Sequence, residues 1–375
     1  MTAFYKLFHI FAYNEQQQSF TIVKRVFLRV LADAINPYSW IMAARNKAFD
    51  AGLLESHVPS IPTICVGNIS VGGTGKTPHI EYIAKILKEK FAVAVLSRGY
   101  GRKSKGYVKA TGQTTMEHIG DEPFQIKEKF CGLDVAVCEK RVTGIRQLIA
   151  ENRNLQAILL DDAFQHRYVK AGLNILLIDS NRPLWQDNVL PFGRLRECPS
   201  GIKRADIVIF TKCKGMTDEQ KAGYCRYIKE KKDIPVYFSG IDYGTPYPLY
   251  RNSENRAEIT TGSKILLVTG IAKPLPMKAE IETRGANVEL MQFSDHHNFS
   301  TDDFENIAKR FREGGFAMIV TTEKDATRIK GRNDLPQTIR DNTYALPIEV
   351  KFLNGDENLF NKNIYDYVTE NSRNS

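Results

Sequence analysis

The sequence predicts an α/β fold in which a mostly parallel sheet is flanked by helices and a second, smaller α/β domain follows. Short apolar runs of strand length alternate with polar stretches of helical periodicity along most of the chain. The first such run ends in a glycine-rich turn that leads directly into a helix. The chain has 375 residues, 42% hydrophobic and 25% charged, which is enough for one large and one smaller domain.

The larger unit begins with a predicted strand at 61–66, a glycine-rich turn and a helix at 78–90. Runs that are apolar throughout are typical of parallel strands covered by helices on both faces. We place this unit at 61–245. Its further predicted strands, separated by polar helical stretches, lie at 92–96, 135–137, 157–160, 174–178 and 207–210.

A second group of elements predicts the smaller unit, which we place at 246–375. The segment 243–255 before it is rich in Pro, Gly, Tyr and polar residues, as linkers between domains are. We expect the tail from 370 onward to be disordered. The predicted strands are 264–269, 288–293 and 318–321, and helices are expected around 277–284 and 301–312.

The N-terminal region is predicted to precede both units. We treat 1–23 as an extension of unknown role. Polar residues interrupt the apolar core that a signal peptide needs, so no export is implied. From 24 to 60 we expect a helical segment with an apolar face flanked by Lys and Arg, punctuated at Asn36 and Pro37. Such a helix lies on a membrane surface or docks on its own domain, and the pattern slightly favours docking. No window is apolar enough to span a membrane.

Composition limits the classes of molecule that the protein is expected to bind. The formal net charge of +9 favours anionic partners, such as nucleotides, phosphorylated substrates and phospholipid headgroups. No helix-turn-helix, zinc finger or aromatic-basic platform accompanies the charge, so no nucleic-acid partner is expected. The six cysteines form no C-x-x-C pair, which argues against a zinc site and for a reducing, cytoplasmic compartment.

The strongest local signal is the glycine-rich turn, Ser70-Val71-Gly72-Gly73-Thr74-Gly75-Lys76-Thr77. Between a strand and a helix, this pattern indicates a phosphate-binding loop of the P-loop NTPase type, although Ser70 replaces the usual first glycine. The backbone N–H groups and the helix N-terminus would hold the phosphates, while Lys76 reaches the terminal ones. A glycine turn of purely structural origin is the alternative. We predict that the loop binds a nucleoside triphosphate.

Two carboxylates, Asp161 and Asp162, follow the apolar run 157–160 directly. At the end of a strand beside a phosphate loop, such a pair resembles the acids that hold Mg²⁺. We therefore predict that Thr77, Asp161 and Asp162 bind the metal. A helix N-cap would explain one aspartate, but it explains two less well.

Phosphoryl transfer to an alcohol also needs a proton acceptor. Asp121 and Glu122 stand ahead of a predicted helix, where acids more often complement the helix dipole. His296 follows a predicted strand of the smaller unit and could supply a base if that unit closes over the first. The loop 191–197 carries Arg196 among turn formers, which suits either phosphate binding or a solvated loop.

A nucleotide-driven switch protein is the alternative from another class. Thr211-Lys212 is similar to the start of the guanine-reading Asn-Lys-x-Asp element, but Lys214 stands where that element needs a carboxylate. Val71 also stands where dimerising P-loop ATPases carry an extra lysine. The first departure argues against recognition of guanine, and the second argues against a dimerising regulatory ATPase.

A series of short motifs runs along the chain in a fixed order. The motifs are Val66-Gly67-Asn68, the loop 70–77, Ser97 to Gly101, Gly120 to Pro123, Asp161 to His166, Leu195-Arg196-Glu197, Asp295-His296 and Thr322 to Ala326. Taken in order, they resemble those of the tetraacyldisaccharide 4'-kinase family. The likeness runs from about residue 28 to about residue 346, and the combination is far more specific than any single motif. One departure is Ala163, where many relatives have glycine.

The resemblance implies transfer of the ATP γ-phosphate, with Mg²⁺, to the 4'-hydroxyl of a tetraacylated glucosamine disaccharide 1-phosphate in lipid A biosynthesis. It implies that Asp121 acts as base with His296 when the second domain closes, while Lys76 stabilises the transition state. It also places the protein peripherally on the cytoplasmic side of the inner membrane, and no obligate protein partner is indicated. Further active-site candidates on matching positions are Glu122, Gln165, His166, Arg196 and Glu197.

Overall fold

The computed structural model describes residues 36–250 and 258–372. The predicted extension 1–23, the part of the N-terminal helical segment before 36, the linker residues 251–257 and the tail residues 373–375 lie outside the described residues. The described strands form one nine-stranded and one five-stranded sheet. The predicted α/β class, with a large sheet and a smaller one, is confirmed.

The first part of the chain alternates strands with helices, and each strand predicted there is present with small shifts at its ends. The elements are α1 (Pro37–Asp50), β1 (Thr63–Gly67), α2 (Lys76–Leu87), β2 (Val93–Ser97), β3 (Val108–Lys109), α3 (Met116–Ile119), α4 (Asp121–Lys129), β4 (Asp134–Val137), α5 (Arg141–Glu151), β5 (Ala157–Asp161), β6 (Leu173–Asp179), β7 (Ile207–Thr211), α6 (Asp218–Lys229) and β8 (Val236–Tyr243). Short 3-10 helices cover Leu184–Gln186 and Pro199–Arg204.

The rest of the described chain contains the three predicted strands of the smaller unit and both of its predicted helices. The elements are β9 (Tyr247–Pro248), β10 (Lys264–Thr269), α7 (Leu275–Thr283), β11 (Asn287–Gln292), α8 (Thr301–Gly314), β12 (Met318–Thr322), α9 (Glu323–Lys330), α10 (Gln337–Asn342), β13 (Thr343–Leu346), β14 (Ile348–Phe352) and α11 (Glu357–Ser372).

The larger sheet has the strand order β14-β8-β7-β6-β1-β5-β2-β4-β3. Its strands from β8 to β4 pair in parallel, while β14 and β3 are antiparallel edges. All residues of β1, β2 and β5 are buried, which explains their unbroken apolar runs. Because parallel strands end at the same edge, the loops after β1, β5, β6 and β7 meet there.

The smaller sheet has the order β11-β10-β12-β13-β9, with β9 antiparallel to β13. The chain then returns to the larger sheet, where β14 pairs with β8. Helix α11 buries Phe360, Ile364 and Val368 in the same core that α2 covers, because this spacing puts them on one helical face. The sequence predicts that the smaller unit extends to residue 375, whereas β14 and α11 pack on the larger sheet. The exact bounds of the two units stay a prediction.

Helix α1 docks on the larger domain. Asn36 caps it by accepting a hydrogen bond from the Ser39 N–H, and Arg45 donates to the Gln165 carbonyl oxygen on the loop after β5. Its outer face leaves Trp40 and Ile41 56% and 66% exposed. Within 36–250 and 258–372, no helix is both long and apolar enough to cross a bilayer.

Candidate active site

The loop 70–77 joins β1 to α2, as the sequence predicts. Gly72 and Gly75 have φ values of 112° and 84°, a left-handed backbone that favours glycine. No side chain caps α2, so its first N–H groups are free to bind an anion. The phosphate loop also forms a strand-like contact with the loop after β6, in which the Val71 N–H donates to the Arg194 carbonyl oxygen at 2.7 Å.

His79, in the first turns of α2, ties this loop to a neighbouring strand. Its Nδ1 lies 2.7 Å from the Gly75 carbonyl oxygen, which can only accept, so Nδ1 carries the proton. Its Nε2 then accepts a hydrogen bond from the Ser239 hydroxyl of β8 at 3.0 Å. Full burial lowers the pKa of His79 to about 4, so the ring is neutral near pH 7.

Asp161, the last residue of β5, is buried at the edge where the loop lies. Its Oδ2 accepts a hydrogen bond from the Ser97 hydroxyl of β2 at 3.0 Å, whereas its Oδ1 is buried with no hydrogen-bond partner. Burial, followed by the negative charges of Glu122 and Asp162, raises the pKa of Asp161 to about 7. A cation beside Oδ1 would relieve this repulsion.

Asp162 faces a different environment, although it is the next residue. Its left-handed backbone, with φ of 45°, turns the carboxylate toward Lys76 and Arg196. The Arg196 guanidinium donates to both Asp162 oxygens at 3.0 Å, and the Lys76 ammonium lies 3.8 Å from Oδ1. The structure thus brings together four sequence-predicted residues, Lys76, Asp161, Asp162 and Arg196.

The oxygen atoms that the protein offers here fit a Mg²⁺ ion that takes only some of its ligands from the protein. Asp161 Oδ1 is the unpartnered buried oxygen, and Thr77 lies in the first turn of α2 at the same loop. Within 36–250 and 258–372, no cluster of three or more His, Cys, Asp or Glu forms a complete metal site. Magnesium usually keeps several water ligands and binds phosphate oxygens together with only one or two carboxylates, so it needs few ligands from the protein.

Asp121 and His296 meet across the two sheets. Asp121 is the first residue of α4 rather than part of a loop, so it does lie in a first helical turn. The preceding Gly120 has φ of 90°, and a Cβ there would lie 2.7 Å from the Tyr100 carbonyl oxygen. His296 Nδ1 lies 3.3 Å from Asp121 Oδ2, and Lys324 Nζ donates to His296 Nε2 at 3.0 Å. His296 Nδ1 also lies 3.2 Å from the Arg328 guanidinium, so the ring is held between Asp121, Arg328 and Lys324.

Arg328 of α9 also holds Asp121, and sequence reasoning missed it. Its side chain is 3% exposed, its Nε donates to Asp121 Oδ2 at 3.1 Å, and its NH1 donates to Asp325 at 3.0 Å. Burial acts to raise the pKa of Asp121, but the hydrogen bonds and charges of Arg328 and His296 outweigh it and lower the pKa. The only sequence signal was its place shortly after the motif Thr322 to Ala326.

Among the remaining candidates, Glu197 and Gln165 connect neighbouring loops. Glu197 is buried, with its carboxylate bound by Arg204 at 2.7 Å and by Asn46 of α1 at 3.0 Å. Gln165 donates to Glu197 and to the Asn68 carbonyl oxygen. His166 has a buried Nδ1 without a partner, and burial lowers its pKa. Glu122 lies close enough to Asp161 to affect its pKa.

This arrangement can hold a triphosphate, a cation and an alcohol in one place. Lys76 and the α2 N-terminus supply positive charge, Asp161 offers a ligand for a metal, and His296 offers a proton acceptor. The mechanistic roles of these residues stay predictions.

Comparison with known proteins identifies the family. The family model described as tetraacyldisaccharide-1-P 4'-kinase matches residues 26–369. The tetraacyldisaccharide 4'-kinase of Bacteroides thetaiotaomicron is 46% identical over 90% of this chain and 94% of its own length. That of Flavobacterium johnsoniae is 43% identical over 89% and 95%, respectively. A crystal structure of LpxK from Aquifex aeolicus in complex with ATP matches with a TM-score of 0.70 and 28% identity, covering 91% of this chain and 99% of that one. This chain therefore belongs to the tetraacyldisaccharide 4'-kinase family.

Proposed function

We propose that this chain transfers the γ-phosphate of ATP to the 4'-hydroxyl of a tetraacyldisaccharide 1-phosphate in lipid A biosynthesis. The observation that carries the proposal is the Asp121 and His296 pair, which lies beside the same sheet edge as the phosphate loop. A switch protein has no need of a proton acceptor placed next to its triphosphate. The names of the relatives and the ATP in the related crystal structure support the donor and the acceptor.

His296 takes the proton in this proposal, and Asp121 positions it. The acceptor hydroxyl oxygen forms a bond to the γ-phosphorus, the bond from that phosphorus to the β–γ bridging oxygen breaks, and ADP leaves. The hydroxyl proton goes to His296 Nε2, which requires Lys324 to release its hydrogen bond to that nitrogen, and the new imidazolium is stabilised by Asp121 at Nδ1. Since Arg328 lowers the pKa of Asp121, the carboxylate stays ionised and is the weaker proton acceptor.

Lys76 and the loop N–H groups bind the phosphates and stabilise the charge that develops on the transferring group. In this proposal Asp161 and Thr77 would hold Mg²⁺, whereas Asp162, which the sequence predicts as a third ligand, orders Lys76 and Arg196 around it. When bound, the ion would neutralise phosphate charge and orient the oxygens of the transferring group.

We further propose that the protein acts peripherally on the cytoplasmic side of the inner membrane. Helix α1 docks by one face, and its other face presents Trp40 and Ile41 to solvent. An aromatic and an aliphatic side chain on a basic protein, of net charge +9, suit an anionic lipid surface. The acceptor, which carries acyl chains, would be met there.

The test is transfer of label from γ-labelled ATP to tetraacyldisaccharide 1-phosphate in detergent micelles with Mg²⁺. The expected result is a labelled bis-phosphate. The matched control is the 4'-deoxy acceptor, which should take no label. Consumption of ATP without labelling of the lipid, or competition by GTP as strong as that by ATP itself, would favour the switch protein instead.

A further inference from the structure

Lys129, the last residue of α4, lies between two buried carboxylates that the proposed reaction does not use. Its Nζ donates to Glu81 Oε2 of α2 at 2.7 Å and to Glu323 Oε2 of α9 at 2.9 Å. The side chains of Glu81 and Glu323 are only 4% and 7% exposed. These three residues are termed the buried ion cluster. Because α9 follows β12 of the smaller sheet, the cluster joins the smaller unit to the larger domain.

The buried ion cluster contains two carboxylates for one ammonium. Gln125 donates a hydrogen bond to Glu81 Oε1 at 2.7 Å, and the Ile348 N–H donates to Glu323 Oε2 at 3.3 Å. Burial acts to lower the pKa of Lys129, but the charges of Glu81 and Glu323 outweigh it and raise the pKa. Lys129 therefore stays charged near pH 7 and compensates both buried carboxylates.

The cluster lies where the chain crosses between the two sheets. Ile348, whose N–H binds Glu323, begins β14 at the return to the larger sheet. The other crossing leads from β8 to β9, and there the Gly244 N–H donates to the Pro347 carbonyl oxygen at 3.0 Å. Glu323 thus fixes the start of α9 to the place where the two sheets join.

Helices α4 and α9 therefore contact each other at two separate places. Asp121, the first residue of α4, is bound by Arg328 Nε at 3.1 Å, whereas Lys129 at the other end of α4 binds Glu323. At a rise of about 1.5 Å per residue, the two contacts lie about 12 Å apart along α4 and about 8 Å apart along α9. One contact would let α9 pivot, but two separated contacts fix the angle between the helices.

The angle of α9 matters because this helix carries the groups around the proposed base. Lys324 Nζ donates to His296 Nε2 at 3.0 Å, and the Arg328 guanidinium lies 3.2 Å from Nδ1. Misplacement of reacting groups by about 1 Å can lower a rate about a hundredfold. A small rotation of α9 would therefore be enough to disturb the contact between Asp121 and His296.

We propose that Lys129 and Glu323 are positioning residues for the reaction. Their ion pair sets the angle at which α9 meets α4 and so holds Asp121 and His296 in contact, while Glu81 holds Lys129 in place from the helix that begins at the phosphate loop. The inference rests on the proposed function in taking Asp121 and His296 as the groups that receive and stabilise the acceptor proton.

Glu323→Gln tests the ion pair without leaving a buried charge unpaired, because Lys129 keeps its contact with Glu81. The turnover number for label transfer to the lipid should fall about tenfold, while the affinity for ATP changes by less than about twofold. Lys129→Arg keeps the ion pair and should retain most of the rate. The control is Glu128→Gln, the same change at a pair with Lys127 on α4, which should transfer at the full rate. An unchanged turnover number in Glu323→Gln would overturn the proposal.

The ring ¹⁵N signals of His296 test the positioning without any lipid. They are measured in the full chain labelled at histidine and are assigned by their loss in His296→Asn. In Glu323→Gln these signals should move, because the contacts of the ring change, while those of His118 at an exposed position in α3 should stay. Unmoved His296 signals would overturn the proposal whether or not the chain phosphorylates lipid. Moved signals in a chain that labels no lipid would support the positioning and refute only the proposed function.

Discussion

At the scale of single residues, Asp161 and Asp162 illustrate how adjacent carboxylates acquire different tasks. Asp161 ends β5 inside the sheet, with one oxygen bound by Ser97 and the other buried and unpartnered. Asp162 leaves the strand with a left-handed backbone and is bound by Arg196. An unpartnered buried oxygen suits a metal, whereas a carboxylate already neutralised by cations suits the ordering of those cations.

Lys76 is expected to be essential for transfer. Lys76→Ala removes the ammonium that would contact the terminal phosphates and leaves Asp162 with Arg196 alone. The turnover number should fall by at least about 10² to 10³, as when a group that stabilises transition-state charge is lost. Rates of label transfer at saturating ATP measure this. Lys85→Ala, on the same helix but paired at the surface with Glu349, should keep the full rate, and an active Lys76→Ala protein would contradict the loop assignment.

At the scale of elements, the start of α2 depends on a neutral histidine. The unperturbed pKa of 6.5 is lowered to about 4 for His79, so protonation favours the unfolded chain. Stability is complete above pH 6.5 and is lost as the pH falls from there toward 4. Between pH 7 and pH 5 the loss should be about 2 kcal/mol.

Urea unfolding of His79→Asn measures this contribution. The variant lacks the titrating ring, so its free energy of unfolding should fall less over the same pH range than that of the unchanged chain. His118→Asn, at an exposed position in α3, serves as the control and should follow the unchanged chain. An equal pH dependence for the His79 variant would show that other groups cause the acid sensitivity.

Helix α1 is the element expected to meet lipid. Trp40→Glu places a charge on its exposed face, away from the contacts that dock the helix. Binding to vesicles of anionic phospholipid should weaken by about tenfold, because apolar area no longer enters the lipid interface. Flotation or co-sedimentation measures it. Leu359→Glu, 55% exposed on α11, is the matched control and should bind as before; equal effects of the two would contradict a specific role for α1.

At the scale of the whole molecule, the site is completed by a contact between two sheets. Arg328 joins Asp121 of the larger domain to Asp325, which is fully buried in the smaller unit. Asp325 is itself fixed by the Gly270 N–H at 2.9 Å and by the Thr322 hydroxyl. The position of Asp121 and His296 thus depends on how the two sheets meet.

Arg328→Gln should therefore lower the turnover number by at least about tenfold, with the KM for ATP little changed. It also leaves Asp325 as an unpaired buried charge, which should reduce the free energy of unfolding by about 3 kcal/mol. Arg328→Lys keeps a charge and should retain the fold with part of the activity. Arg310→Gln, at an exposed pair with Glu289, is the control. Normal turnover in a folded Arg328 variant would contradict the positioning role.

Local patterns explain how far the fold could be predicted. Strands such as β1 and β5 are buried on both faces, so their sequences are apolar without interruption. The two-residue edge strands β3 and β9 are too short to carry a pattern. The return of β14 and α11 to the larger sheet depends on tertiary packing, and the linker composition at 243–255 gave no sign of it.

The residues of the candidate site also differ in how far the sequence alone predicts them. The phosphate loop is a local motif, so its residues were identified from the sequence directly. Asp121 and His296, 175 positions apart, were paired only through the family resemblance. Arg328 lies 207 positions from Asp121 and occurs in a charged helix, where an arginine is ordinarily solvated. No periodicity or spacing reports such a contact.

The rate of label transfer from ATP to tetraacyldisaccharide 1-phosphate by His296→Ala, compared with His297→Ala, shows whether His296 takes the proton of the acceptor hydroxyl. The two histidines are neighbours, but His296 faces Asp121 whereas His297 pairs with Asp303 at 2.9 Å. We predict that His296→Ala lowers the turnover number by about 10² to 10⁴ while ATP binding is preserved, and that His297→Ala changes it little. Transfer at the unchanged rate by His296→Ala would remove His296 from the mechanism.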